Sequence, residues 1–284
     1  MQKISCYLCH SHSLVERSGS VRDSQFLKIY ECKDCGLVQL NSHEHIRKEH
    51  YENSKMHGSD PEPISVWERN TEEDDERRFQ MLKTLLPNKD LLDFGCGNGG
   101  FLKKAKTLAS EVTGIELEER IRKYLHGDLQ IFSGLNCLGE RKYDLITAFH
   151  VIEHLQDPRK ILENLKEFLS LEAFIVVEVP SASDALLLLY ECEAFQNFTY
   201  WSQHLYLFNA NTLESLAKLS GLKVIAIEQF QRYPLSNHLY WLSQGKPGGH
   251  KLWSFLDSPI LKQTYADSLA RIGQCDTLIG WFKL

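Results

Sequence analysis

The stretch Leu91-Leu92-Asp93-Phe94-Gly95-Cys96-Gly97-Asn98-Gly99-Gly100-Phe101-Leu102 decides the fold. An apolar run ends in an acid, a glycine-dense turn follows, and an amphipathic segment begins at once. The turn therefore joins a buried strand to a helix with little side-chain bulk between them, so that a ligand can touch the backbone. Gly95, Gly97 and Gly100 also satisfy G-x-G-x-x-G, which makes a nicotinamide dinucleotide site one interpretation.

Two acids favour a different cofactor. Asp93 lies two residues before the first glycine, and Glu116 closes the next strand-like run, Val112-Thr113-Gly114-Ile115. This combination of D-x-G-x-G-x-G and a later strand-terminal acid resembles the class I S-adenosylmethionine-dependent methyltransferases. The resemblance implies that Asp93 helps to hold the amino-acid part of the cofactor. It also implies that Glu116 accepts hydrogen bonds from both ribose hydroxyls, for which the two oxygens of a carboxylate are suited.

Tyr51 resembles a tyrosine of related enzymes that closes over the cofactor, although a packing role is the alternative. The residues expected to contact S-adenosylmethionine are Tyr51, Asp93, Gly95, Cys96, Gly97, Asn98, Gly99, Glu116, Leu117 and His150.

From residue 90 onwards, apolar strand-like runs alternate with helical patterns, which indicates an α/β fold with a parallel sheet covered on both faces. The resemblance implies a Rossmann-like seven-stranded methyltransferase sheet. Its last strand, Thr277-Leu278-Ile279-Gly280-Trp281-Phe282, would lie antiparallel between the fifth and sixth strands. We expect this domain to span residues 67–284, with an insertion at 231–276 and a linker or lid at 46–66, where Pro61 and Pro63 interrupt a polar segment.

Residues 1–45 have the pattern of a small zinc ribbon. Cys6-Tyr7-Leu8-Cys9 and Cys32-Lys33-Asp34-Cys35 are two C-x-x-C turns separated by a β-rich stretch. Two such turns facing each other supply a tetrahedral S₄ shell. Two disulfides or a redox pair are the alternatives. The near balance of acids and bases in this segment favours a structural zinc over a nucleic-acid contact.

The composition limits the classes of function. The chain has 284 residues and is 43% hydrophobic, enough for one large core and a small appendage. A formal net charge of -6 argues against binding to a phosphate backbone, so no nucleic-acid partner is expected. The sequence offers neither an apolar membrane span nor an apolar N-terminal signal region, from which we expect a cytoplasmic protein without membrane contact. The oligomeric state is open.

The end of the fourth predicted strand carries candidate chemistry. His150, Glu153 and His154 have i, i+3, i+4 spacing and would share one helical face, where they could ligate a metal or transfer a proton. The segment is similar to the E-x-x-E-H element of quinone-pathway and small-RNA O-methyltransferases, which bind a divalent ion, except that His150 replaces the first glutamate. His204 lies where the RNA enzymes have a further histidine. A second divalent metal, a metal-free acid/base role and a purely structural role all stay open for these four candidate catalytic residues.

The insertion at 231–276 is rich in Arg, Tyr, His and Trp beside a Gly-Pro-Lys loop, which we interpret as a surface for an anionic, sugar-bearing acceptor. The alternative is that it only packs onto the sheet. The candidate substrate-binding residues are Arg232, Tyr233, His238, Tyr240, Trp241, Lys246, His250 and Lys251.

A cysteine ribbon ahead of such a domain resembles methyltransferases of bacterial sugar and surface-glycan pathways. The resemblance implies O-methylation of a sugar or nucleotide-activated sugar. C-methylation of a deoxysugar and a non-catalytic, cofactor-binding scaffold are the alternatives. Ahead of the domain, Trp67 to Leu86 is expected to form a helix that turns the acidic run Glu72 to Glu76 to water and Phe79, Leu82, Leu85 and Leu86 to the core.

Overall fold

The computed structural model describes residues 4–46, 52 and 62–284. The strands are β1 (Leu14–Glu16), β2 (Ile29–Cys32), β3 (Val38–Leu40), β4 (Asp90–Phe94), β5 (Glu111–Ile115), β6 (Gln130–Phe132), β7 (Tyr143–Phe149), β8 (Leu169–Pro180), β9 (Tyr206–Leu207), β10 (Lys223–Phe230) and β11 (Thr277–Lys283). The helices, numbered over the described residues, are α1 (Ile64–Leu82), α2 (Gly100–Ala105), α3 (Glu119–Leu125), α4 (Pro158–Lys166), α5 (Ala185–Leu188), α6 (Glu193–Thr199), α7 (Ala210–Leu219), α8 (Leu235–Gln244), α9 (Gly249–Leu252) and α10 (Pro259–Arg271). Short 3₁₀ turns lie at Leu135–Cys137, Ile152–His154 and Ser254–Leu256.

A seven-stranded sheet with the order β10-β11-β8-β7-β4-β5-β6 is the centre of the molecule. The strands from β4 to β8 pair in parallel. Their inner residues, such as Leu92, Ile146 and Val177, have no exposed surface, because helices cover both faces. The predicted α/β class and the central place of Leu91 to Phe94 are confirmed.

The last strand has the predicted position and direction. β11 is antiparallel to both β8 and β10 and lies between them. Since β11 returns from the insertion, the two ends of the insertion, at Gln231 and Asp276, meet at the edge of the sheet where β8 ends. There the Gln231 side chain donates to Asp276 Oδ2 over 2.8 Å.

The four-cysteine segment shares a sheet with the main domain. β1, β2 and β3 form an antiparallel sheet whose fourth strand is β9, which comes from the main domain. Val21, Ile29 and Leu37 of this segment belong to the same buried cluster as Ile146 and Phe208. Residues on both sides of the domain boundary expected near residue 45 therefore belong to one continuous buried core.

The insertion is helical rather than an open loop. It contains α8, α9 and α10, and it packs through Trp241 against Phe195 and Phe198 of α6. Gly245 ends α8 with a φ of 63°, a left-handed conformation that glycine adopts without strain. Ser258 caps α10 by accepting from the Leu261 N–H, with Pro259 as the first helical residue.

Helix α1 covers the glycine-rich turn. Leu82 at its end and Leu86 just beyond are fully buried, as expected, and Phe79 is partly buried, whereas Leu85 is 37% exposed. The expectation that the whole acidic run faces water is wrong, because Asp75 is buried and Asp74 pairs with an arginine of the insertion. Glu72 and Glu73 are exposed as expected.

Candidate functional site

The glycine-rich turn connects β4 to α2 in a conformation that needs glycine. Gly95, Gly97 and Gly99 have φ values of 76°, 50° and 76°. A Cβ on Gly95 would lie 2.4 Å from Val151 Cγ2, so any larger residue would displace the segment after β7. The turn thus brings its backbone close to the end of β7, and the site lies beyond the carboxyl ends of β4, β5 and β7.

Glu116 is placed at the turn as predicted. Its Oε2 accepts from the Gly97 N–H over 3.0 Å and its Oε1 from the Glu118 N–H over 2.8 Å. A carboxylate has about four acceptor positions, so these two bonds leave acceptor capacity for a ligand. Leu117 beside it is 37% exposed.

Two other predicted contact residues serve the turn itself. Asn98 Oδ1 accepts from the Gly100 N–H over 2.9 Å and its Nδ2 donates to Thr71 of α1 over 2.9 Å. Cys96 is 8% exposed and packs inward. For these residues the backbone, rather than the side chain, is available to a ligand.

Asp93 is a buried acid whose charge is poorly compensated. It is 3% exposed, and its Oδ1 accepts from the Thr147 hydroxyl over 2.6 Å. Burial raises the pKa of Asp93 to about 7, since no cation touches it among the described residues. A cation that arrived with a ligand would stabilise the carboxylate form.

His150 follows β7 in a left-handed conformation, with a φ of 54°. A non-glycine residue with this φ is uncommon and concentrates at functional sites. Its Nδ1 lies 3.2 Å from Glu153 Oε1 and its Nε2 lies 3.1 Å from Glu178 Oε1. Although burial opposes the charge, these hydrogen bonds raise the pKa of His150 above its usual value.

Glu153, His154 and His204 form a compact cluster. One ligand atom from each lies within 4.8 Å of the others, an arrangement that could hold a metal ion. His154 Nδ1 lies 2.9 Å from the Gln203 carbonyl oxygen, which fixes a proton on Nδ1 and leaves Nε2 as an acceptor. Burial lowers the pKa of His154 and lowers that of His204 to about 3, so both rings are neutral at pH 7.

Two buried atoms of this cluster have no hydrogen-bond partner within residues 4–46, 52 and 62–284: Glu153 Oε2 and His204 Nδ1. Buried polar atoms without partners are costly, and they are rare in folded proteins. An ion or a polar ligand between them would supply the missing contacts.

A group of charges that the sequence did not single out surrounds His150. Glu178 of β8 has no exposed surface and accepts from Arg77 and Arg78 of α1, each over 2.8 Å. Arg232 pairs with Asp74 of α1, and its Nη1 lies 3.5 Å from His150 Nε2. One signal was available in the sequence: a glutamate within the apolar run Ile175 to Val179 requires a partner if the strand is buried.

The four cysteines converge at the edge of the molecule. Cys6 Sγ lies 3.5 Å from Cys35 Sγ, Cys9 Sγ lies 3.5 Å from Cys32 Sγ, and all four sulfurs lie within 4.8 Å of one another. All four are free thiols. Zn–S bonds of 2.3 Å in a tetrahedron place the sulfurs about 3.8 Å apart, so the group matches a zinc shell.

Comparison with known families agrees with this geometry. A family model described as "Methyltransferase domain" matches residues 66–227, more than half of the chain. The chain belongs to this methyltransferase family. The match contains the glycine-rich turn, Glu116 and the cluster at His150 to His204, and the predicted class I S-adenosylmethionine-dependent methyltransferase domain is confirmed.

Two relatives match part of this methyltransferase in sequence, and a solved structure matches it in fold. "Ubiquinone biosynthesis O-methyltransferase" of Hydrogenovibrio crunogenus is 29% identical over 97 residues, which are 30% of this chain and 39% of that protein. The protein of the same name from Bordetella pertussis is 34% identical over 89 residues, 27% of this chain and 36% of that protein. A SAM-dependent methyltransferase of Archaeoglobus fulgidus superposes with a TM-score of 0.51 at 18% identity, over 81% of this chain and 97% of that one. This superposition concerns the fold.

The insertion of this methyltransferase contributes fewer substrate contacts than the sequence suggested. His238, Tyr240 and Trp241 are 1%, 6% and 3% exposed. His238 Nδ1 lies 2.7 Å from the Tyr265 hydroxyl, the Tyr240 ring packs against Trp253, and the Trp241 ring packs against Phe195 of α6. The prediction that these three residues face an acceptor is corrected, because α8 turns them inward.

The five other predicted acceptor residues lie in different places. Tyr233 is 36% exposed and its ring centroid lies 5.2 Å from that of His250. Arg232 is next to His150, but its charge is already paired with Asp74, so it is not free to bind a phosphate. Lys246 and Lys251 are exposed. The cationic loop and the buried arginine therefore do not form one surface.

Tyr51 and most of the expected lid at 46–66 lie outside the described residues. None of the helices in the described part of the chain combines the length and the apolar character that crossing a bilayer requires.

Proposed function

We propose that this chain transfers a methyl group from S-adenosylmethionine to a hydroxyl oxygen of a small-molecule acceptor. The observation that carries the proposal is the cluster of Glu153, His154 and His204, with its two unpartnered buried atoms, next to the glycine-rich turn. A hydroxyl acceptor has to lose a proton as it attacks the methyl carbon, and this cluster supplies groups that could assist.

The chain fits S-adenosylmethionine at two carboxylates. Asp93 is a buried acid that forms no ion pair with any residue in the described part of the chain, which suits the α-ammonium group of the cofactor. Glu116 keeps acceptor positions for the ribose hydroxyls. When bound, the cofactor supplies an electrophilic methyl group on sulfur, and the contribution of the protein is to align it with the acceptor oxygen.

The neutral state of the two histidines favours a metal-ligand role over a general-base role. A base with a pKa of about 3, as at His204, takes up a proton poorly at pH 7. Two neutral imidazoles and a carboxylate are instead a donor set for divalent first-row ions. Glu153, His154 and His204 would hold such an ion, which would lower the pKa of an acceptor hydroxyl.

The acceptor we favour is a quinone-type hydroxyl. The names of the curated relatives support this class, although the chain aligns with only 36–39% of the length of the two described above. A sugar acceptor is the second candidate, supported by the Tyr233–His250 pair beside Arg232 but weakened by the burial of Tyr240 and Trp241. C-methylation and a silent scaffold remain as outcomes of the experiment.

We further propose that Cys6, Cys9, Cys32 and Cys35 hold a structural zinc ion in the segment up to residue 45. The four sulfur positions support it, and so does the small size of the three N-terminal strands, which lack a core of their own.

The experiment compares acceptors and variants. A catechol and a nucleotide-activated sugar are offered with labelled cofactor, and we expect methylation of the catechol. His204→Ala should lower kcat by about 10² to 10³ while cofactor affinity, measured by calorimetry, changes little. His126→Ala, at an exposed histidine, is the matched control. Equal turnover of His204→Ala and His126→Ala would exclude the cluster, and cofactor binding without transfer to any acceptor would favour the scaffold.

A further inference from the structure

A stretch of the insertion exposes large apolar side chains that nothing in the described structure covers. Phe255 is 78% exposed, Ile260 80% and Leu252 63%, and Leu256 and Leu261 are also exposed. All five lie within ten consecutive residues, between α9 and the start of α10. Elsewhere, highly exposed apolar residues such as Phe26 and Leu171 stand singly in the sequence. Single residues of that kind are normal, whereas a cluster marks an interaction surface.

The same stretch is basic. Lys246, Lys251 and Lys262 are exposed, and none has an ion-pair partner among residues 4–46, 52 and 62–284. The acid between them, Asp257, accepts from the Ser236 hydroxyl over 2.7 Å, so its carboxylate is bound from within the insertion. Residues 245–263 therefore carry three lysines and one acid, on a chain whose formal net charge is -6.

This apolar and basic surface adjoins the site. His250, next to Lys251, stacks against Tyr233, and Tyr233 follows Arg232, whose Nη1 lies 3.5 Å from His150. A partner held on the surface would thus lie near the Tyr233–His250 pair, which is one residue along the chain from Arg232.

We propose that the surface formed by Leu252, Phe255, Leu256, Ile260, Lys251 and Lys262 docks on a bilayer that contains anionic lipid. Apolar side chains at the tip of an element enter the boundary between headgroups and acyl chains, while flanking lysines bind anionic headgroups. A second copy of this chain fits less well, because a two-fold contact would bring the same lysines against each other. An acidic protein partner would match the lysines but offers nothing specific to the five apolar side chains.

Docking on the surface of a bilayer differs from crossing the bilayer. The expectation of no membrane contact rested on the lack of an apolar span, which says nothing about a surface patch. The inference goes beyond the proposed methyl transfer, because lipid binding can be measured without cofactor or acceptor.

The experiment is co-sedimentation of the full chain with vesicles of phosphatidylcholine, alone or mixed with phosphatidylglycerol. We expect binding to the mixed vesicles that weakens as salt is raised, because headgroup attraction is screened. Phe255→Asp with Ile260→Asp should reduce the partition coefficient about tenfold or more, as should Lys251→Glu with Lys262→Glu. Phe26→Asp and Leu171→Asp, at exposed apolar residues outside the insertion, should bind like the parent chain.

Three results would overturn the inference: no binding of the parent chain to mixed vesicles, equal loss in the Phe26→Asp and Leu171→Asp controls, or light scattering that shows a dimer dissociated by Phe255→Asp. Circular dichroism and cofactor titration of each variant show that folding is retained. Failure of methyl transfer with intact vesicle binding would count against the proposed function alone.

Discussion

Two buried carboxylates at the same edge of the sheet have opposite surroundings. Asp93 accepts a hydrogen bond from the Thr147 hydroxyl and touches no cation among the described residues, so burial raises the pKa of Asp93 to about 7. Glu178 is equally buried, yet Arg78, His150 and Arg77 hold its pKa well below the usual value. The Asp93 carboxylate can therefore pair with a cationic ligand, whereas the Glu178 carboxylate is already paired with cations of the protein.

The Asp93 carboxyl gives the first prediction, a pH dependence of cofactor binding. Its pKa is raised, so below pH 7 it is mainly protonated and cannot pair with the ammonium group of the cofactor. With a pKa of about 7, the ionised fraction grows about eightfold from pH 6 to pH 7.5, and the affinity measured by calorimetry should grow with it.

The pKa of Glu116 is raised by burial as well, so variants have to separate the two acids. Asp93→Asn should remove most of the pH dependence together with part of the affinity, and Asp128→Asn, at an exposed acid, should leave both unchanged. If Asp93→Asn binds the cofactor with the pH profile of the parent chain, Asp93 is not the titrating group.

Glu178 gives the second prediction, on stability. Glu178→Gln removes the fully buried charge that pairs with Arg77 and Arg78 and leaves these arginines only Asp74 and Asp75 as partners. Breaking a buried pair costs about 3 to 5 kcal/mol, and the two remaining acids place the expected cost at the lower end of that range. Glu172→Gln on the same strand breaks the ion pair with Lys283, but Glu172 is 89% exposed, so solvent screens the pair and the cost should be far smaller. Urea unfolding of the two variants measures the difference, and similar midpoints would contradict it.

At the residue scale, the sequence predicted the positions of functional residues where these residues belong to one local motif. Asp93, the glycines and Glu116 lie within one strand-turn-helix-strand unit, and their places follow from that unit. The pairing of Glu178 with Arg77 and Arg78 joins residues about a hundred positions apart in the chain. No local pattern specifies such a pair, because it depends on how α1 crosses the ends of the strands.

At the scale of elements, long periodic segments were predictable and short or inward-facing ones were not. β4, β7 and β11 are apolar runs, and the antiparallel place of β11 followed from the family resemblance. β9 has two residues, too few for a pattern, yet it joins the four-cysteine sheet to the site, since only Leu205 separates it from His204. Its neighbour Leu205 donates its N–H to the Glu153 carbonyl and accepts from the Leu40 N–H.

The insertion shows why amino-acid composition alone does not predict which side chains of a segment face inward. A mixture of Tyr, Trp and His suggested a binding surface, but an amphipathic helix can turn such residues inward. In α8 the buried face contains His238, Tyr240 and Trp241, while Leu239 and Leu242 are exposed. The signals for helices were present, in Gly245 as the end of α8 and in Ser258-Pro259 as the start of α10. Read together, they would have favoured packed helices over an open loop.

At the scale of the whole molecule, the four-cysteine segment and the sheet domain form one unit. They share a buried cluster and the β3–β9 pairing. Polar contacts also cross between them: Tyr7 donates to Asp157 over 2.6 Å, and Ser202 donates its hydroxyl to Asp23 over 2.6 Å. Loss of the proposed zinc ion should therefore disturb the structure around His204 as well as around the four cysteines.

This coupling gives the last prediction. Metal analysis of the parent chain should find one zinc ion, which Cys9→Ser with Cys35→Ser should remove. The same variant should lower the Tm of the chain by roughly 10 °C, in one transition and not two, since a structural zinc contributes several kcal/mol. Hydrogen exchange should quicken at Leu40 and Leu205, whose N–H groups bond to the carbonyls of Leu205 and Glu153. Cys137→Ser, at an exposed cysteine, is the matched control. A separate low-temperature transition of the cysteine segment, with exchange at Leu205 unchanged, would mean that the segment is an appendage without influence on the site.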